Sequence, residues 1–429
     1  MFRIFKKTNN QPTWFNELDF YQKTYVDCEN NYNMILSKNF QLSMNTTQTG
    51  LNNNVLLISD NLLKIEDFFL SNMLQSNCSY VVIDNRVGSF RERTKNFFNY
   101  KCYIMKEFGY LGEDSKFCYN PFAYIETVDD VKVMVDSMFE HIGYGVSDQN
   151  FVDTMRLLFH IAALYVFESK EFKNPTLMDI VDVFQEFKTE TIKEKMLELE
   201  NKHLNCKSVH FYKVVRDYKQ SEIEQIVDGF NELQMAQMLQ KPEVREMLSR
   251  DTLNLKGLST NKQILYVKMA ELGFLATTLV AQTVKETKKN NDRKEANRHV
   301  QFVLANPYLD GGDDLFINVV DRCFNVKRAT QYSFITKLSN KHGINKALTK
   351  IQLFDTIVYL DGVKKESENL LSFLELKCEG LLNKEEILNF HIGKGLIFIK
   401  ELRPIQDDEY DLQTHPHYKT LGGRCDIFE

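Results

Sequence analysis

Short apolar runs of strand length, separated by helix-like sequence, constrain this chain more than any other feature. Val55 to Ile58, Tyr80 to Ile83 and Cys102 to Met105 are the first three. The runs resume at Ile264 to Val267, Phe302 to Leu304, Tyr332 to Thr336, Thr356 to Leu360 and Leu396 to Ile399. Strands that alternate with helical segments build a parallel sheet with helices on its faces. The expected core is therefore an α/β domain with a central, mainly parallel sheet.

Between about Thr127 and Arg250 the strand runs stop. Asp130 to His141, Phe151 to Phe167, Thr176 to Phe187, Glu190 to Leu199 and Ile223 to Gln240 all carry helical spacing. The pattern divides the chain into an N-terminal extension (1–38), the first part of an α/β domain (39–127), an all-α insertion (128–250), and the second part of the α/β domain with a C-terminal tail (251–429). The low counts of helix and turn breakers, 18 glycines and 7 prolines, fit long helices.

Composition excludes several classes. A net charge of -6 gives no global signature of nucleic-acid binding. The eight cysteines never form a C-x-x-C pair, which argues against a zinc site or a disulfide framework and for reduced thiols in a cytosolic setting. The opening MFRIFKKTNN lacks the apolar run of a signal peptide. The most apolar stretch, Leu157 to Phe167, is too short to span a bilayer and contains His160, so it is expected to be a buried helix.

The segment from Asn54 to Leu74 is the most informative for function. Asn54 to Ile58 reads as a buried strand, and Ile65 to Leu74 reads as the start of a helix. A strand, a tight turn and a helix N-terminus form the phosphate site of a P-loop ATPase. The connecting octet is Ser59, Asp60, Asn61, Leu62, Leu63, Lys64, Ile65, Glu66. It has no glycine. Backbone N–H groups approach phosphate closely only where side chains are absent, and Leu62 and Leu63 stand there instead.

Several segments, in order, resemble the type IV coupling proteins of the TraG/TraD kind. They are Asn52 to Leu74, YVVIDNRVG (80–88), YNPFAYI (119–125), DTLNLKGLSTNKQILYV (251–267), FDTIVYLDG (354–362) and LIFIKELRPIQDDEYDLQTHPHYK (396–419). The last is similar to the family's RPF…KYDI…HPNYK tail. The resemblance implies a RecA-like P-loop NTPase fold interrupted by an all-α domain, and a hexameric ATPase that links DNA substrates to conjugative type IV secretion channels.

Set against that family, the octet falls on a motif of the form GGSGAGKT. Its lysine is Ile65 here and its threonine is Glu66, while Lys64 comes one place early and so points about 100° away on a helix. Ile65 cannot neutralise phosphate charge. Glu66 can ligate a metal but repels phosphate. Ser59, Asp60 and Asn61 remain as acceptors for helix N–H groups. The family's FVMDEFAN falls on Phe302 to Leu309, which puts Ala305 where the Mg²⁺-linked Asp belongs and Asn306 where the catalytic Glu belongs. A family Gln falls near Thr336 or Lys337. A site without base, metal anchor or phosphate lysine has no agents for hydrolysis by the usual route. The expectation is a pseudo-ATPase with no catalytic residues and no cofactor. ATP with Mg²⁺ enters only under the alternative of an active ATPase with a divergent site.

Other constellations are weaker. Asp84 and Arg86 follow a buried strand where the family often has Asp-Pro-Lys, and mark a remnant ligand site or a solvated turn. Lys285 to Arg298 carries six basic and three acidic residues, and Lys288, Lys289, Arg293, Lys294 and Arg298 are the candidate DNA contacts. Asp310 to Asp314 lacks the ligand spacing of a calcium loop. His415-Pro-His417 has no third ligand and matches a His-Pro of the family tail, so no metal is expected.

The expected function is non-catalytic: recruitment, scaffolding or regulation within a conjugative DNA-transfer or type IV secretion apparatus. The expected partners are secretion or relaxosome components, an active coupling ATPase among them, with DNA contact weak or indirect. A second alternative is a DNA-binding module without ATPase activity. The expected location is the cytoplasm, peripheral to the inner face of the membrane through partners.

Overall fold

A computed structural model describes residues 13–29, 32–84, 90–109, 117–142, 148–189, 191–203, 205–268, 272–306, 331–338, 350–361, 368–390 and 393–422. The strands are β1 (Asn33–Ile35), β2 (Gln41–Ser43), β3 (Val55–Ser59), β4 (Ser79–Asp84), β5 (Ile104–Phe108), β6 (Gln263–Val267), β7 (Val300–Asn306), β8 (Tyr332–Leu338), β9 (Thr356–Asp361), β10 (Lys394–Ile399) and β11 (Ile405–Asp408). β1 and β2 form a small antiparallel hairpin. The other nine make one sheet in the order β11-β10-β9-β3-β8-β7-β4-β6-β5. From β9 to β5 every pairing is parallel, and β10 and β11 add an antiparallel edge.

Period-2 geometry divides each strand between two cores. On β3, Leu56 and Ile58 join one core, while Val55 and Leu57 join the other. All five residues of the strand are buried, as both-face coverage requires.

Helices α1 (Leu18–Tyr25), α2 (Thr46–Thr49), α3 (Leu62–Leu74) and α4 (Phe90–Tyr100) belong to the second core's side. There Phe69, Met73, Phe90 and Phe97 pack with Tyr21 and Phe40. Each such side chain contributes about 1.5–3 kcal/mol on full burial. The hairpin β1–β2 straddles the expected boundary between residues 38 and 39. Asn72 ties it down, because its Oδ1 accepts the Ile35 N–H at 2.8 Å and its Nδ2 donates to the Ile35 carbonyl at 2.9 Å.

Between β5 and β6 come only helices among the described residues: α5 (Val128–Ile142), α6 (Gln149–Glu168), α7 (Leu177–Gln185), α8 (Thr191–Lys202), α9 (Lys207–Val215), α10 (Gln220–Glu232), α11 (Gln234–Leu239) and α12 (Pro242–Leu248), with short 3-10 turns. The chain enters and leaves this unit side by side. Tyr119 N donates to Met247 O and Thr252 N to Cys118 O, both at 2.8 Å. Helix α13 (Gly273–Asp292) lies against α5 and carries the insertion on the first core's face of the sheet. The apolar stretch 157–167 is inside α6, where Leu158, Phe159 and Ile161 to Leu164 are fully buried. No helix among the described residues is long and apolar enough to cross a membrane.

Two boundaries differ from the sequence reading. The strand expected from Cys102 begins at Ile104, because Cys102 adopts φ 57° in a turn that closes α4. The helix expected from Ile223 to Gln240 breaks at Leu233, whose extended backbone (φ -69°, ψ 144°) separates α10 from α11. Strands β1, β2 and β11 were too short and too polar to show a pattern.

Candidate functional site

The parallel strands β3, β8, β7 and β4 end at one edge of the sheet, where open α/β sheets bind ligands. Ser59 closes β3, and α3 starts at Leu62. The first N–H groups of a helix have no intrahelical acceptor, and in a phosphate loop they face the anion. Here the chain fills that role itself. Asn61 Oδ1 accepts from Leu63 N at 3.0 Å and from Lys64 N at 3.4 Å. Ser59 Oγ accepts from Asn61 N at 3.1 Å and donates to Asp361 Oδ1 at 2.7 Å. Leu62 and Leu63 are 55% and 41% exposed, whereas Ile65 points into the core.

Lys64 is committed elsewhere. Its Nζ lies 2.8 Å from Asp361 Oδ2, at the end of β9, and 2.6 Å from Glu409 Oε1, just beyond β11. Burial lowers the lysine's pKa, but hydrogen bonds to Asp361 and Glu409 outweigh it, so the net shift is upward. Glu409 shifts upward too, because its own burial outweighs the pull of Lys64. We take the triad as charged on its geometry, with both carboxylates turned to one ammonium.

Glu66 is no metal ligand in this arrangement. It is buried and forms an ion pair with Arg93 of α4, itself 4% exposed. The position that holds a Mg²⁺-binding hydroxyl in the resembled family here pins two helices together.

The second segment compared with the family lies on β7. Ala305 is buried near the end of β7, and Asn306 terminates that strand opposite Asp84 of β4. Asp84 Oδ2 accepts the Phe90 N–H at 3.2 Å, so it helps start α4. Arg86 lies outside the described residues. Thr336 of β8 is in register with Leu56 and Leu304, and Lys337 with Leu57. The sheet therefore places the octet, Asp84, Ala305 and Lys337 at or near the C-terminal ends of the parallel strands β3, β4, β7 and β8.

The basic stretch is not a continuous patch. Lys289 pairs with Glu126 at 2.9 Å and approaches buried Glu286 at 3.5 Å. Lys288 Nζ sits 5.6 Å from the centre of the Tyr332 ring. Arg298 Nη2 donates to Cys78 O at 3.4 Å. Arg293 and Lys294, in the turn after α13, are the exposed members. The helix periodicity turns half the charges toward the protein. His415 Nδ1 accepts the His417 N–H at 3.1 Å, which makes the His-Pro-His segment a turn, and no metal-binding cluster occurs among the described residues. Residues 310–314 lie outside the described residues.

The sequence reading missed Asp361, Glu409 and Arg93. The first two stand in segments that resemble the family, but nothing local says that they meet Lys64. Arg93 carries no signal beyond its place on an amphipathic helix.

A family model for type IV secretory system conjugative DNA transfer matches residues 64–305, more than half of the chain. The chain belongs to this family. Solved structures agree on the fold of this coupling-protein homologue. The plasmid coupling protein TrwB in complex with ADP and Mg²⁺ is 11% identical, with a TM-score of 0.59 over 93% of each chain. The unbound monoclinic form of the bacterial conjugative coupling protein TrwBdeltaN70 is 13% identical, with a TM-score of 0.54 over 84% of this chain and 85% of that one. VirB4 of Thermoanaerobacter pseudethanolicus is 10% identical, with a TM-score of 0.51 over 92% of this chain and 99% of that one. No curated protein sequence matches the chain. The RecA-like P-loop NTPase fold expected from the sequence is thus the fold observed.

Proposed function

We propose that this coupling-protein homologue is nucleotide-silent and serves a DNA-transfer or type IV secretion apparatus as a recruiting, scaffolding or regulatory subunit. The observation that carries this reading is the self-occupied phosphate loop: Asn61 caps the helix, and Asp361 and Glu409 hold Lys64. An incoming phosphate has to displace two carboxylates from the lysine and meets Leu62 and Leu63 in place of open backbone. Ala305 offers no ligand for Mg²⁺. What the decay has spared supports a binding role, since the all-α insertion keeps its own continuous core with the sheet. Its partners are secretion or relaxosome proteins, an active coupling ATPase among them, and they hold it at the cytoplasmic face of the membrane. Affinity capture from the native host tests this. Recovery of a coupling ATPase or relaxosome protein is expected, and recovery of neither contradicts it.

One observation favours the alternative of a divergent nucleotide site. Lys337 is 7% exposed, on the strand beside β3, and has no ion-pair partner among the described residues. If it replaces the phosphate lysine from a different element, Lys337→Ala removes a measurable ATP affinity. The silent reading expects no such affinity to remove.

A further inference from the structure

A groove of about 880 Å³ lies at the antiparallel edge of the sheet, where β9 begins and β10 turns toward β11. Helix α14 (Glu368–Lys377) forms its other wall. Leu376 of that helix is 76% exposed and Phe373 is half-buried, above a floor that contains Phe354 and Phe398. A contiguous apolar groove with a polar rim marks a docking site, whereas a lone exposed leucine does not. The rim charges are unevenly satisfied. Lys400 Nζ lies 3.2 Å from Asp355 Oδ1, Lys377 Nζ sits 5.7 Å from the centre of the Phe373 ring, and Arg403 Nη1 donates to Thr13 Oγ1 at 2.7 Å. Glu17, Glu379 and Glu401 are exposed on the same rim and have no ion-pair partner among the described residues.

We propose that residues 1–7 of this same chain, MFRIFKK, occupy the groove. The described chain starts at its rim, because Thr13 accepts from Arg403 and Phe15 N donates to Pro404 O at 2.9 Å. Residues 1–12 lie outside the described residues. The stretch from Thr8 to Pro12 spans at most about 18 Å, which holds Lys7 near the groove. The composition of the segment matches that of the groove. Met1, Phe2, Ile4 and Phe5 supply apolar surface for Phe373 and Leu376, and Arg3, Lys6 and Lys7 supply three cations for the three unpaired carboxylates. The tether makes this pairing intramolecular, at an effective concentration on the order of 1 mM, so weak contacts suffice to keep the groove filled. The segment is a strap that covers the exposed apolar face of α14 and fastens the start of the chain to the antiparallel edge of the sheet. It does not depend on whether the phosphate loop is silent.

The test uses the full chain and two readouts. Carbodiimide coupling joins an amine to a carboxylate that touches it, and mass spectrometry identifies the pairs. Links from Lys6 or Lys7 to Glu379 or Glu401 are expected in the band of single-chain mass on a denaturing gel. Their absence overturns the proposal. Links found only in the band of doubled mass assign the groove to the segment of a second copy, and overturn it too. Trypsin cleavage after Lys7 follows the fraction of chains in which the segment is released. Leu376→Asp and Phe5→Ser are each expected to speed that cleavage about 10-fold, the scale of one lost apolar contact. Leu376 is exposed, so its replacement leaves the fold intact, and Phe5→Ser leaves the groove itself unchanged. The proposal is overturned if either variant is cut at the rate of the parent.

Discussion

Lys64 of α3 and Asp361 of β9 are joined by an ion pair of 2.8 Å at the mouth of the strand–turn–helix where a P-loop NTPase holds phosphate. Asp361 also accepts the Ser59 hydroxyl at 2.7 Å, and Glu409 shares the lysine at 2.6 Å. Lys64 and Ser59 together therefore link β3, α3, β9 and the C-terminal tail. Three charges in a partly buried place stay together because the one ammonium offsets the desolvation of both carboxylates.

Removing the lysine tests that link. Lys64→Met leaves Asp361 and Glu409 facing each other, and should cost about 1–3 kcal/mol of stability. Adding Asp361→Asn in the same chain should restore part of the loss. Denaturant unfolding measures both. Equal stability of Lys64→Met and the parent contradicts the assignment.

Glu66 carries a sharper expectation. Reversion to the family threonine strands the Arg93 guanidinium in the core, and should cost about 3–5 kcal/mol, as the breaking of a buried pair does. Glu66→Met with Arg93→Met should be markedly more stable than Glu66→Thr alone. Thermal unfolding of the two chains decides. If Glu66→Thr is neutral, the pair is not what joins α3 to α4.

Acid should weaken the fold through His299. The ring is buried, with Nε2 2.8 Å from Ser333 Oγ, and burial pushes its pKa down from 6.5 to about 3. The unfolded chain takes up a proton that the folded chain refuses. Its contribution is thus complete above about pH 6.5 and is lost as pH falls toward 3, by up to about 1.4 kcal/mol per pH unit. His299→Gln should reduce the slope of stability against pH by about one proton in that window, measured by urea unfolding at a series of pH values.

Much of the fold was legible because buried parallel strands must be apolar on both faces, and eight of the observed strands overlap the runs read from sequence. The octet, Ala305 and Asn306 could be placed at the strand ends because the flanking strands fixed their positions. The partners were not legible. Asp361 and Glu409 are far from Lys64 in sequence, and only the sheet order β11-β10-β9-β3 brings them to it. The pairing of the basic stretch was not legible for a local reason: α13 turns Lys285 and Lys289 toward Asp130 and Glu126, and charge counting ignores which face of a helix a charge occupies.

The central claim is that the phosphate loop no longer serves a nucleotide. Calorimetric titration of the purified chain with Mg²⁺-ATP, followed by measurement of phosphate release with and without DNA, tests it most directly. The account predicts no saturable heat that Lys64→Met or Lys337→Ala removes, up to about 1 mM ATP, and no turnover. Saturable binding with turnover that Lys64→Met or Lys337→Ala abolishes would contradict it.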